Sequence, residues 1–182
     1  MEIIARIRND YDGKFGVPRQ SGLVPDVKSV IEFEPKYRVA EALRGIEEWS
    51  HLWLLWEFDQ VNMTDWSPTV RPPRLGGNTR LGVFATRSPM RPNRIGLSCV
   101  RLEEVRQTRD KGTVLVVSGA DLMNGTPIID IKPYLPLSDC RPEATGGFTD
   151  THEKRTCQVI CSPELLERLP QESRNGLLGV LR

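Results

Sequence analysis

The stretch IGLSCVRLEEVRQTRDKGTVLVVSGADLM, Ile95 to Met123, decides the fold class. Ile95–Arg106 and Thr113–Met123 are rich in β-branched residues, and QTRDKG between them has the composition of a tight turn, so the pair reads as an antiparallel hairpin. Working outward, EIIARIR (2–8), VKSVIEFEP (27–35) and RLGVFATR (80–87) carry the same strand signature. SHLWLLWEFDQV (50–61) is a nearly continuous apolar run. Its shortness and aromatic content favour a strand at the sheet centre over a buried helix end. One helix is expected, opened by Pro35, with Val39, Ala40 and Leu43 on one face and Gly45 as its stop. That is too little helix for a doubly wound sheet. The expected fold is mainly β: a single curved antiparallel sheet or closed β-barrel with one or two short helices.

The 182 residues are enough for one main domain with a small appendage. Residues 1–137 read as that domain, and 138–182 as a connecting segment followed by the start of a small C-terminal element. In the latter, CQVICS (157–162) suggests a strand, and SPELLERL (162–169) a short helix with Ser162 as cap and Pro163 in its first turn. NGLLGVLR (175–182) suggests a packed terminal helix or a boundary inside a longer protein. Asn9–Pro25 is turn-rich and expected to be a surface loop. With no signal-like start and no run of about 18 apolar residues, a cytoplasmic location is expected.

The net charge is only +1, yet six arginines fall between Arg71 and Arg94, in RPPRLGGNTRLGVFATRSPMRPNRIG, with no carboxylate among them. Guanidinium groups on backbone stiffened by proline suit phosphate or carboxylate recognition. This local segregation, rather than global charge, points to an anionic partner. Arg71, Arg74, Arg91 and Arg94, with Lys132, are the candidates for contact with a nucleic acid.

No GxGxxG follows a strand and no GxxxxGK[ST] occurs, so a nucleotide-type cofactor would need another mode of binding. Cys99, Cys140, Cys157 and Cys161 include no CxxC pair, and His51 and His152 have no partner nearby in sequence. No metal site is expected, and the cysteines read as isolated thiols. Two short segments stand out. In DLMNGTPIIDIKPYLP (121–136) the Asn124–Gly125 turn signal reads first as a hairpin or bulge with a charged rim. Its glycine also lets backbone donors and acceptors turn toward a ligand. VPRQ (17–20) sets a cation and an amide beside a fixed proline.

Taken together, VPRQ, SHLW, RPPRLGGNTRLGVFATRSPMRPNRIGLS and DLMNGTPIIDIKPYLP resemble the TrmO family, also called TsaA-like or YaeB-like proteins. The resemblance runs from the first strand to KPYLP. It implies a tRNA methyltransferase that uses S-adenosylmethionine to methylate the exocyclic N6 of threonylcarbamoyl-adenosine beside the anticodon. It also implies a β-barrel fold and a homodimer with the cofactor near the interface, the partner being the tRNA anticodon stem-loop. By position, cofactor contacts would come from Pro18, Arg19, Gln20, Asp59, Gln60, Arg87, Leu97, Asn124, Gly125, Thr126 and Pro127. Three positions depart from the family pattern: Asp59 stands where His is usual, Arg94 where Pro is usual, and Asn124 where Asp is usual. Chemistry alone makes Asp121 and Asp130 candidates for accepting the proton of the methylated nitrogen. Two other readings are a non-catalytic module that binds S-adenosylmethionine or RNA, and a methyltransferase acting on a different acceptor.

Overall fold

The computed structural model describes residues 1–61, 65–151 and 158–181. His152 and Cys157 lie outside them. The strands are β1 (Ala5–Arg8), β2 (Lys28–Phe33), β3 (His51–Glu57), β4 (Thr69–Val70), β5 (Leu81–Gly82), β6 (Ile95–Thr108), β7 (Gly112–Ser118) and β8 (Pro127–Pro133). The helices are α1 (Pro136–Asp139), α2 (Phe148–Thr151), α3 (Pro163–Glu167) and α4 (Gln171–Leu181). Six strands close into a barrel in the order β1-β2-β7-β6-β3-β8. β1 pairs antiparallel with β2 and β8, β7 with β2 and β6, and β3 with β8. Directions therefore alternate round the ring, which makes β3 and β6 antiparallel as well. The expected antiparallel barrel is the fold found.

Strand periodicity fills the interior. Along β3, Leu52, Leu54 and Trp56 are buried while their neighbours are half-exposed. Ala5, Ile7, Ile31, Val100, Leu115 and Ile128 complete the central core. Each fully buried aliphatic side chain of this kind contributes about 1.5–3 kcal/mol. Two register shifts interrupt the ladders of the closed sheet. One leaves Ile129 of β8 unpaired between the Leu55/Asp130 and Trp56/Ile128 pairs, and the other leaves Glu103 of β6 between the Leu102/Val117 and Glu104/Val116 pairs. The Glu103 carboxylate accepts a hydrogen bond from the Ser118 hydroxyl at 2.6 Å, fixing that bulge to β7.

Three sequence expectations fail for identifiable reasons. The helix expected from Pro35 to Gly45 is replaced by separate 3-10 turns at Pro35–Tyr37, Ala40–Leu43 and Ile46–Glu48. None of these turns buries a residue, so an α-helix there would have no packed face to stabilise it. RLGVFATR is strand only at Leu81–Gly82; Val83–Ala85 is a 3-10 turn. Residues 158–161 form no strand, and Ser162 makes no side-chain cap to α3.

Contacts divide the chain into two compact units. Met1–Trp56, Leu97–Tyr134 and Thr156–Arg182 form the first, which holds the barrel; Glu57–Gly96 and Leu135–Arg155 form the second. In the first unit, α4 approaches the 24–27 segment through two glycines on one helix face. A Cβ on Gly176 would lie 2.9 Å from Val27 Cγ2, and one on Gly179 2.9 Å from Val24 Cγ1. In the second unit, β4 and β5 form a two-stranded ladder with Thr69 opposite Gly82 and Val70 opposite Leu81.

Gly22 and Gly119 meet back to back: Gly22 donates its N–H to the Gly119 carbonyl at 2.8 Å, and both have positive φ. A Cβ on Gly119 would stand 3.2 Å from Gly22 Cα, whereas one on Gly22 would meet nothing within 4 Å. Gly22→Ala should cost about 1–2 kcal/mol from its backbone conformation alone. Gly119→Ala should cost clearly more, because backbone must move as well. Urea denaturation of both variants checks the order.

Candidate functional site

Strand alternation gathers two connections at one end of the barrel. β1 and β7 run toward that end, so the 9–27 loop and the 119–126 segment lie there. Hydrogen bonds join them. Asn124 N–H donates to the Tyr11 carbonyl at 2.8 Å, Gly125 N–H to Ile7 O at 2.8 Å, and Ile7 N–H to Thr126 O at 3.2 Å. Arg6 Nη1 donates to Gly125 O at 3.0 Å, and Asn9 Nδ2 reaches Leu122 O at 3.0 Å. The turn at Asn124–Gly125 is real, with Gly125 at φ +83. Its backbone N–H groups at Asn124 and Gly125 and the carbonyls of Gly125 and Thr126 bond to the first strand and the loop that follows it.

The Asn124 side chain is held through both ends of its amide. Its Nδ2 donates to Asp12 Oδ1 at 3.0 Å, and its Oδ1 accepts from Asn9 N–H at 3.4 Å. An aspartate at 124 would set two carboxylates against each other, so the amide suits Asp12. Thr126 and Pro127 are buried.

The VPRQ loop joins this cluster from the other side. Pro18 is half-buried and Arg19 and Gln20 are exposed. Immediately after them, the Ser21 hydroxyl accepts the N–H of Cys99 at 3.2 Å, and Gly22 is held by Gly119. The structure thus brings Pro18–Gln20, Leu97 at the start of β6 and the 119–126 segment to one end of one unit. Leu97 itself is exposed.

Between these pieces lies a chain of polar side chains. Trp56 Nε1–H donates to Ser98 Oγ at 2.9 Å, and the Ser98 hydroxyl donates to Asp121 Oδ1 at 2.5 Å. Ser98 is fully buried and Trp56 nearly so, so Asp121 is held from beneath by the core while remaining partly accessible. The other carboxylate candidate differs. Asp130 pairs with Lys132 at 2.8 Å through one oxygen and accepts Ile131 N–H at 2.9 Å with the other.

Tyr11, in the 9–27 loop, is buried although the sequence does not mark it: it is 6% exposed, and its hydroxyl has no hydrogen-bond partner. Burial, assisted by the Asp10 charge, pushes its pKa up to about 12. The surrounding Asn9–Asp12 run reads only as turn composition, and no pattern in it marks the tyrosine as buried. Among the described residues no three His, Cys, Asp or Glu side chains gather as metal ligands would.

Asp59, Gln60 and Arg87 belong to the second unit and are exposed. The arginines of that unit divide into two kinds. Arg71 and Arg74 are exposed near the tip of the β4–β5 hairpin. Arg91 and Arg94 are half-buried and tie loops together: Arg91 Nη1 donates to Val83 O at 3.1 Å and Thr86 O at 2.7 Å, and Arg94 Nη1 to Val61 O at 2.6 Å.

Residues 6–140 match the family described as tRNA-methyltransferase O N-terminal domain. The chain is 45% identical over 168 residues to the tRNA (adenine(37)-N6)-methyltransferase of Escherichia coli (strain K12), covering 92% of this chain and 71% of that protein. It is 37% identical over 147 residues to a probable S-adenosyl-L-methionine-binding protein of Pyrococcus abyssi (strain GE5 / Orsay), covering 81% and 74%. The crystal structure of TrmO from Pseudomonas aeruginosa superposes with a TM-score of 0.67 at 40% identity, covering 84% of this chain. The chain spans 63% of that protein's length, less than two thirds. With the family match running from β1 to beyond β8, the chain belongs to the tRNA-methyltransferase O N-terminal domain family.

Proposed function

We propose that this chain is a methyltransferase that uses S-adenosylmethionine to methylate the exocyclic N6 of threonylcarbamoyl-adenosine beside the anticodon of tRNA. The observation that carries this reading is the convergence of the 18–22 loop, Leu97–Ser98 and the 119–126 segment at one barrel end, with an oriented carboxylate among them. The names of the relatives support the chemistry and the cofactor.

S-adenosylmethionine, when bound, supplies an electrophilic methyl group on a sulfonium. The residues proposed to hold it in the barrel unit are Pro18, Arg19, Gln20, Leu97 and Asn124–Pro127. The donor set fits: exposed polar groups at Arg19 and Gln20, an apolar side chain at Leu97, and an orphaned hydroxyl on Tyr11, whose main-chain carbonyl accepts the Asn124 N–H. Asp59, Gln60 and Arg87 are proposed as contacts from the family motif alone. The protein's work is to align acceptor and donor, since positioning can supply roughly 7–11 kcal/mol. The acceptor nitrogen must also lose a proton. Asp121 is the better placed acceptor, because Ser98 and Trp56 fix its direction, whereas Asp130 spends both oxygens on its neighbours. A homodimer and a cytoplasmic location are part of the same reading.

Mass spectrometry of nucleosides from tRNA incubated with cofactor and protein tests the activity. Calorimetry with S-adenosylmethionine runs beside it. Binding without product would make the chain a binding module; product on another acceptor would change the substrate. Asp121→Asn should lower turnover about a hundredfold or more with cofactor affinity preserved, and Asp130→Asn should leave turnover within about threefold. Equal turnover in both would remove Asp121 from the mechanism.

Arg71→Glu and Arg74→Glu should each weaken tRNA binding and reduce its salt dependence by about one counterion. Unchanged affinity and slope would end their assignment.

Tyr11→Phe gives a separate check. In the unfolded chain tyrosine ionises near pH 10, and in the folded one near 12. The neutral phenol thus contributes stability that is fully present below about pH 10 and is lost as pH rises toward 12. The phenylalanine variant should flatten that alkaline loss. It should also weaken S-adenosylmethionine binding severalfold, and unchanged binding would show that the hydroxyl faces no cofactor.

A further inference from the structure

The second unit carries an exposed aromatic pair to which neither the barrel-end site nor the family resemblance gives a role. Trp66 and Phe84 flank the β4–β5 ladder, one just before it and one just after. Their rings stack with centroids 6.1 Å apart and planes inclined by 22°. Phe84 is 70% exposed and Trp66 47% exposed. A large apolar ring set so far out of a packed surface gains little from folding, and clustered exposure of this kind marks a contact surface.

The position of Phe84 is built, not incidental. Val83 is buried and its N–H donates to Pro68 O at 3.0 Å, which seats the turn on the ladder. The Val83 carbonyl accepts three donors: Thr86 N–H at 3.1 Å, Thr86 Oγ1 at 2.9 Å and Arg91 Nη1 at 3.1 Å. Arg91 bonds Thr86 O as well and lays its guanidinium 5.4 Å from the centre of the Phe84 ring. The turn thus presents one ring outward, backed by a cation whose orientation is fixed. From Trp66 to Gly96 there are six arginines and no aspartate or glutamate, a local charge of +6 in a chain whose net charge is +1.

Exposed aromatic rings inside a cationic field suit unpaired nucleotides, because every base has a π-face to stack and every phosphate a charge to neutralise. We propose that Phe84 and Trp66, supported by Arg91, form a stacking platform for an unpaired base of RNA. This rests on the reading of the chain as a tRNA-modifying protein, and it adds a place where a loop nucleotide is held apart from the reacting one.

The test uses the whole chain and three probes: a single-stranded oligouridine, a blunt RNA duplex and a tRNA anticodon stem-loop. Phe84→Ala should weaken binding of the oligouridine and the stem-loop about tenfold. Its salt dependence should stay unchanged, since no counterion contact is lost. Duplex affinity should remain as in wild type, and Phe84→Tyr should restore binding. Wild-type-like affinity of Phe84→Ala for the stem-loop would overturn the proposal. So would a change of oligomeric mass on light scattering with RNA affinity intact, which would assign the patch to a protein contact. If wild type binds no tRNA, the tRNA-modifying reading fails with it. If wild type and Phe84→Ala bind and methylate tRNA equally, only the platform fails.

Discussion

Ring closure is the constraint on which everything else here depends. A six-stranded antiparallel sheet leaves no row of unpaired backbone groups only if its last strand reaches both its neighbours. β8 does this by pairing with β1 on one side and β3 on the other. The exchange between Ile7 and the Gly125–Thr126 turn starts that seam. The turn that closes the barrel also carries four of the residues proposed to meet the cofactor.

Much of the fold was legible because burial imposes its period on a strand. SHLWLLWEFDQV alternates buried and half-exposed through Glu57, and Ile95–Thr108 turns back on Gly112–Ser118 as its turn composition required. The helix expected after Pro35 was not there, since Val39 and Leu43 offered a face with nothing to pack on. RLGVFATR misled for a different reason. Its alternation was that of a strand, but Thr86 within it and Arg91 beyond it claim the Val83 carbonyl and bend the chain.

The site was legible as a set of motifs and opaque as a set of atoms. Pro18–Gln20, Leu97 and Asn124–Pro127 do meet at one barrel end, though they are far apart along the chain. The relay from Trp56 through Ser98 to Asp121 joins three distant strands and strand ends, and no local spacing announces it. The arginine cluster shows the limit most plainly. Composition counted six equal charges, whereas Arg91 and Arg94 are fastened to carbonyls and Arg71 and Arg74 stand in solvent.

The glycine contacts of α4 have a mechanical consequence. Where Gly176 and Gly179 meet Val27 and Val24, no side chain of the helix intervenes to flex or change rotamer. Close-packed matter of this kind transmits displacement instead of absorbing it. A single added methyl at either glycine would therefore have to push the valines and the helix backbone apart.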